Sequence, residues 1–154
     1  MSAPMIRLAN IEDIPAITCC AEQAYEKYVG RIGKKPMPMV QDFGTAVAEG
    51  IVWVIEADNA FAGYLIAYEK TPGSLHVENV AVPPEHQGKG LGKHLLAFAE
   101  DLARMRGLPQ IDLYTNEKMT ENLSVYPHLG FIEVDRREEH GFARIYYEKR
   151  LDGA

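Results

Sequence analysis

The stretch from His76 to Arg106 constrains this chain more than any other part of it. It begins His76-Val-Glu78-Asn-Val80-Ala-Val82, passes through Pro83 and Pro84 to Gln87-Gly-Lys-Gly90-Leu-Gly92-Lys93, and then takes up a helical period. Leu91, Leu95, Phe98, Leu102 and Met105 recur on one stripe, with Lys93, Glu100, Asp101 and Arg104 off it. Gly107 followed by Pro109 predicts the stop. An apolar strand therefore enters a glycine turn, and a helix leaves it. Gly88, Gly90 and Gly92 let the backbone turn sharply with no Cβ to shield its N–H groups, so several donors converge on one spot. That spot favours an anion, most naturally a phosphate, with the helix dipole behind it and Lys89 and Lys93 at the rim.

Several phosphate-binding families share this layout, and the spacing discriminates between them. A dinucleotide fingerprint G-x-G-x-x-G needs glycine where the chain has Lys93 or Leu95. A P-loop ending in Gly92-Lys93 needs glycine where the chain has Gln87, and serine or threonine where it has His94. Both readings fail. The pattern that fits is Q/R-x-x-G-x-G/A at Gln87–Gly92, preceded by Asn79-Val80-Ala81-Val82-Pro83. A second block, Asn122-Leu-Ser-Val-Tyr126-Pro-His-Leu-Gly130-Phe131, follows in order. Together they make the chain resemble the GNAT N-acetyltransferase superfamily.

The resemblance implies an α/β fold: a mixed, mostly antiparallel sheet of about seven strands, helices on both faces, and a splay between the fourth and fifth strands. It implies acetyl-coenzyme A as co-substrate. Gln87, Gly88, Lys89, Gly90, Leu91, Gly92 and Lys93 would hold its pyrophosphate, and Asn122 and Tyr126 would contact it from the second block. Backbone groups of Val80, Ala81 and Val82, freed by the splay, would pair with the pantetheine arm as though it were an added strand. The N–H of Val82 would polarise the thioester carbonyl.

The length of 154 residues suits a single domain, 1–154, with a full core. Apolar content of 47% and charged content of 25% are ordinary, and no run is long enough to cross a membrane. Met1-Ser-Ala-Pro-Met5-Ile6 lacks a basic region followed by an apolar one, so no signal peptide is expected. Cys19 and Cys20 are adjacent and cannot form an ordinary disulfide with each other, which fits a reducing cytoplasm. A net charge of -6 disfavours nucleic acid as a partner. His76-Val-Glu78 matches the H-x-E of zinc deaminases, but no cysteine follows Cys20, and no other grouping has metal-site spacing, so no metal is expected.

Elsewhere the pattern predicts a strand at Met5 to Leu8. Asn10 caps a helix whose stripe is Ile14, Ile17, Ala21, Ala24 and Tyr28. Pro36 and Pro38 hold the next segment extended, beside the adaptable Met37 and Met39. A second helix is expected over Val40 to Glu49. Strands follow at Ile51 to Ala57 and Ala60 to Tyr68, joined by a tight turn at Asp58-Asn59, and then at Leu75 to Val82. After the long helix come a strand at Ile111 to Thr115, a helix at Thr120 to His128, and a strand pair at Phe131 to Arg137 and Ala143 to Lys149. Tyr25, Tyr28 and Arg31 have two readings. They are packing residues, or, since in GNAT folds the first helices line the acceptor side, they contact the acceptor, with Arg31 suited to a carboxylate.

The chemistry sets two requirements. An alkyl amine is protonated at neutral pH, and removing that proton costs roughly 4 kcal/mol, so a base or water relay is needed. Strict alternation puts His76 and Glu78 on one strand face with Val80 and Val82, and Val77, Asn79 and Ala81 on the other. His76, Glu78 and an ordered water all stay open as the base. The departing thiolate needs a proton, and Tyr126 stands where many GNAT enzymes place a tyrosine; Pro127 directly after it departs from a regular helix. The expected activity is direct acetyl transfer to the amine of a small molecule or amino acid. A protein or peptide acceptor and a non-catalytic acyl-coenzyme A-binding module are the alternatives. The methionine and tyrosine content is compatible with a homodimer.

Overall fold

The computed structural model describes residues 3–151; Met1 and Ser2, where the leader expectation begins, and residues 152–154 lie outside them. The first strand, β1 (Met5–Leu8), is followed by a one-turn 3-10 helix, Ile11–Asp13. Asn10 and Asp13 form a reciprocal capping box there, so two backbone donors are satisfied before the long helix starts. Helix α1 (Ile14–Ile32) buries Ile17, Cys20, Ala21 and Tyr28. It ends at Gly33, whose φ of 89° suits glycine and whose N–H closes on Val29.

The segment expected to be extended is a second 3-10 turn, Met37–Met39, with Pro38 inside it. Helix α2 (Phe43–Ala48) is shorter than expected. Its N-cap Asp42 accepts from the Thr45 amide at 3.3 Å and the Thr45 hydroxyl at 2.8 Å, which starts the helix at Phe43 and leaves Val40 and Gln41 outside. Strands β2 (Val52–Ala57) and β3 (Ala60–Thr71) meet at Asp58 and Asn59, both at positive φ as that turn requires. Then come β4 (Ser74–Ala81), a 3-10 turn at Pro84–His86, helix α3 (Leu91–Met105), β5 (Gln110–Asn116), helix α4 (Thr120–His128), β6 (Ile132–Glu139) and β7 (Phe142–Arg150).

The seven strands order as β1-β2-β3-β4-β5-β7-β6. The pair β4 and β5 is parallel, in register from Ser74 with Gln110 to Val77 with Leu113, whereas β1/β2, β2/β3, β5/β7 and β6/β7 are antiparallel. Strand β4 runs on past that ladder to Ala81. Packing divides the chain into one unit of Met1–Ala67 with Asn79–Phe98 and another of Tyr68–Glu78 with Ala99–Ala154.

In the first unit, Ile17, Cys20 and Ala21 of α1 and Phe43 and Ala46 of α2 pack with Val52, Val54, Tyr64 and Ile66. Trp53, pointing the other way from β2, meets Phe98 of α3 at 5.7 Å, so helices cover both faces here. In the second unit, Tyr126 of α4 packs against Phe131 and Tyr147, at 5.8 and 5.6 Å between ring centroids. Helix α3 departs from the expected stripe at its end: Met105 is 84% exposed, while Leu91, Leu95, Leu96, Ala99 and Ala103 are buried. The buried face is turned toward Leu96, Ala99 and Ala103, to one side of the stripe that the periodicity assigned. Edge strand β6 carries Glu133, Asp135, Arg136, Arg137 and Glu138 outward, a charged rim that resists pairing with another sheet. No helix among the described residues is long and apolar enough to cross a membrane.

Candidate active site

The glycine turn is built as the sequence requires. Gly88 and Gly90 adopt φ of 84° and 78°, left-handed values that a residue with Cβ reaches only under strain. The amide of His94 donates to the carbonyl of Gly90 at 3.1 Å, which makes Gly90 the residue from which α3 starts. A Cβ at Gly88, Gly90 or Gly92 would meet nothing within 4 Å. At Gly92 neither φ nor packing calls for glycine, so what its missing side chain leaves is access to the helix's first turn. An exposed turn of bare donors at the positive end of a 15-residue helix fits a pyrophosphate.

The strand leading into that turn is braced from beneath. The Tyr25 hydroxyl lies 2.9 Å from Asn79 Oδ1 and 3.2 Å from the Val80 carbonyl, and Gln87 Nε2 donates to the Val82 carbonyl at 2.9 Å. The Val82 carbonyl thus accepts from Gln87 and the Val80 carbonyl lies within reach of the Tyr25 hydroxyl, and each oxygen has a second lone pair. Gly63 on β3 comes close under the same segment. A Cβ there would stand 2.7 Å from the Ala81 carbonyl, and φ is 154°. Next to it the pairing of β2 with β3 slips between Ile55 and Glu56, a bulge that an isolated glycine in a strand signals. Tyr28 is buried, with the Arg31 guanidinium 5.3 Å from its ring centroid and Tyr25 at 6.3 Å.

In the second unit His76 is 3% exposed. Its Nδ1 lies 2.6 Å from Asp112 Oδ1, and the ring stacks on Tyr114 and meets Tyr68 edge-on, both at 5.7 Å. The Ser74 hydroxyl donates to the other Asp112 oxygen and accepts from Gln110 Nε2 at 3.2 Å. Nε2 of His76 is buried with no hydrogen-bond partner, an omission that ordinarily costs about 1–3 kcal/mol. Glu78 accepts from the Tyr68 hydroxyl at 3.0 Å, and burial together with that carboxylate pushes the Tyr68 hydroxyl up to about 12.

Tyr126 is buried in the last turn of α4, and Pro127 lies inside that helix. Asn122 Nδ2 donates to Thr115 Oγ1 at 3.0 Å, tying α4 to β5. Gln87 to Lys93 thus gather in the first unit with Val80 to Val82, and His76, Glu78, Asn122 and Tyr126 belong to the second. Sequence reasoning passed over Gly63, Ser74, Tyr68 and Asp112. Only Gly63, alone in a strand pattern, and Asp112, flanked by Ile111 and Leu113, carried a visible signal.

Comparison with known proteins agrees with this geometry. A model of the acetyltransferase (GNAT) family matches residues 18–131, more than half of the chain. The chain belongs to the GNAT acetyltransferase family. Among curated relatives, the mycothiol acetyltransferase of Beutenbergia cavernae is 30% identical over 95 residues, which are 59% of this chain and 31% of that protein. The streptothricin acetyltransferase of Streptomyces lavendulae is 32% identical over 78 residues, 50% of this chain and 41% of that one. The match thus spans 31% and 41% of the length of these two relatives. Among solved structures, the PaiA N-acetyltransferase of Thermoplasma acidophilum in complex with coenzyme A superposes with a TM-score of 0.82. That match has 18% identity and covers 97% of this chain and 100% of the other. The GNAT fold is the one its strand order describes.

Proposed function

We propose that this GNAT protein transfers acetyl from acetyl-coenzyme A to the primary amine of a small molecule or amino acid, in a direct ternary complex. The observation that carries the reading is the turn at Gly88 and Gly90, with left-handed backbone, bare donors and open space where side chains would stand. Bound there, acetyl-coenzyme A supplies the acetyl group as an activated thioester. The Gln87 to Lys93 backbone holds the pyrophosphate, with Lys89 and Lys93 adding charge at the rim. Val80 to Val82 align the pantetheine arm, the Val82 N–H polarises the carbonyl, and Asn122 contacts the coenzyme from α4. Tyr126 donates a proton to the departing sulfur, and a β4 side chain, His76 or Glu78, takes one from the amine.

A covalent acetyl-cysteine is disfavoured because burial pushes the Cys20 thiol up to about 12, so it is protonated at neutral pH, and Cys19 lies on the same helix. The two relatives named for mycothiol and streptothricin support a small acceptor. On this reading Arg31, exposed in the last turn of α1, pairs with a carboxylate on the acceptor, with Tyr25 and Tyr28 beside it; Arg31→Ala should raise the acceptor's KM and leave that of acetyl-coenzyme A unchanged. The reading is tested by free-thiol release from acetyl-coenzyme A across amines, amino acids, polyamines and short peptides at pH 7 and 8.5. Turnover with a small amine is expected. Turnover with peptides alone would replace the acceptor, and silence in protein that binds the coenzyme would replace the enzyme with a binding module.

A further inference from the structure

The His76 site contains more than a lone strand base. Asp112 sits directly across from His76 in the parallel ladder, and its carboxylate is held on the far side by Ser74 and, through it, by Gln110. A carboxylate only accepts hydrogen bonds, so the 2.6 Å contact requires the proton on Nδ1, and the neutral ring then keeps its lone pair on Nε2. Tyr114 and Tyr68 fix the ring from two sides. Nε2 is buried, and no described residue donates to it.

The ring borders a cavity of about 290 Å³, also lined by Asp112, Asp135, Glu139, Glu148, Lys70 and Arg137. Of the other charged groups near the ring, Glu78 accepts from Tyr68, Arg137 pairs with Asp135 at 3.0 Å, and Arg144 lies over Tyr114 at 4.3 Å. What remains is an oriented acceptor lone pair on a buried nitrogen, with no donor to it among the described residues.

Resting on the N-acetyltransferase reading, we propose that Asp112 is a positioning residue that locks His76 as the Nδ1–H tautomer, so that Nε2 removes the proton of the acceptor ammonium. One N–H bond of the ammonium breaks and an Nε2–H bond forms. The electron pair left on nitrogen forms the bond to the acetyl carbon as the carbon–sulfur bond breaks. The second proton lost from nitrogen reaches the sulfur by way of Tyr126, which gives up its hydroxyl proton and is reprotonated, and His76 releases its proton to solvent. Asp112 acts through the ring.

The test joins tautomer and rate. Nitrogen-15 NMR of the full chain should show His76 protonated at Nδ1 in the wild type, and a shift toward the Nε2–H form in Asp112→Asn, whose amide can donate. With the amine found in the panel, Asp112→Asn and His76→Ala should each lose about a hundredfold in kcat, with KM for acetyl-coenzyme A within about twofold, and added imidazole should restore part of the His76→Ala rate. Ser74→Ala, which loosens Asp112 without removing it, should lose only severalfold and guards against a variant that fails to fold. An Nε2–H tautomer in the wild type, or unchanged kcat in folded Asp112→Asn, would overturn the proposal. A wild type silent with every acceptor would defeat the N-acetyltransferase reading and the role of Asp112 with it, whereas a wild type that turns over while Asp112→Asn matches it would defeat the role of Asp112 alone.

Discussion

The glycine turn and the His76 site differ in how each is made. The turn is a run of consecutive residues, exposed, with conformations dictated by Gly88 and Gly90 themselves. The His76 site is buried and drawn from three strands, with Tyr68 from β3, Ser74 and His76 from β4, and Asp112 from β5. Binding a phosphate needs only backbone donors and a helix end, both local properties. Fixing which imidazole nitrogen carries the proton needs partners that only the folded sheet brings together. The first kind of site can be read along the chain. The second has to be assembled before it can be seen.

Substitutions that act on one region and spare the other sharpen this contrast. The largest effect on stability is expected from Gly63→Ala, where a Cβ would press on the Ala81 carbonyl at a φ of 154°. Overpacking there should cost about 1–3 kcal/mol in denaturant unfolding. Coenzyme affinity should fall as well, because the displaced carbonyl belongs to the strand feeding the turn. An unchanged coenzyme Kd would mean the turn is independent of its support. Next is Gly90→Ala. Left-handed strain of about 1–2 kcal/mol should weaken coenzyme binding by about tenfold in calorimetry, while the His76 NMR signals stay put.

Tyr25→Phe removes the hydroxyl between Asn79 and the Val80 carbonyl, and should cost about 1 kcal/mol, lowering Tm by roughly 2–4 °C. The smallest effect belongs to a region outside both sites. Arg7 grips Asp13 through two contacts of 2.8 and 2.9 Å, and this hydrogen-bonded guanidinium holds the Asp13 carboxyl below its usual range. A carboxyl with a depressed folded value stabilises above its unfolded value of about 4, and that stability is lost as pH falls through the folded value. Arg7→Ala should therefore cost no more than about 1 kcal/mol at pH 7, with the gap to wild type closing in acid, as read by thermal melts across pH.

Much of the fold was legible because its signals are periodic or local. The bounds of β1 and α4 agree with the periodicity, the turn at Asp58 and Asn59 with residue chemistry, and the α3 start with its glycines. The departures have physical reasons. Met105 completes a stripe on paper, but Ala99 and Ala103 let the helix seat closely through their face, which leaves Met105 outside. The burial of His76 was not legible because Tyr68 and Tyr114, which enclose its ring, come from neighbouring strands. Asp112 was hidden for the same reason, since the parallel register that sets it opposite His76 depends on a partner 36 residues away. Polar residues in strands are ambiguous until their neighbours across the ladder are known.

The most direct test sets the two regions against each other in one variant. His76→Ala should be titrated with acetyl-coenzyme A by calorimetry and assayed for thiol release with the accepting amine. Kd within about twofold of wild type, with turnover reduced by about a hundredfold, is the expected result. Turnover at the wild-type rate, or a loss of turnover matched by an equal loss of coenzyme affinity, would contradict the division between a local binding turn and a buried proton acceptor.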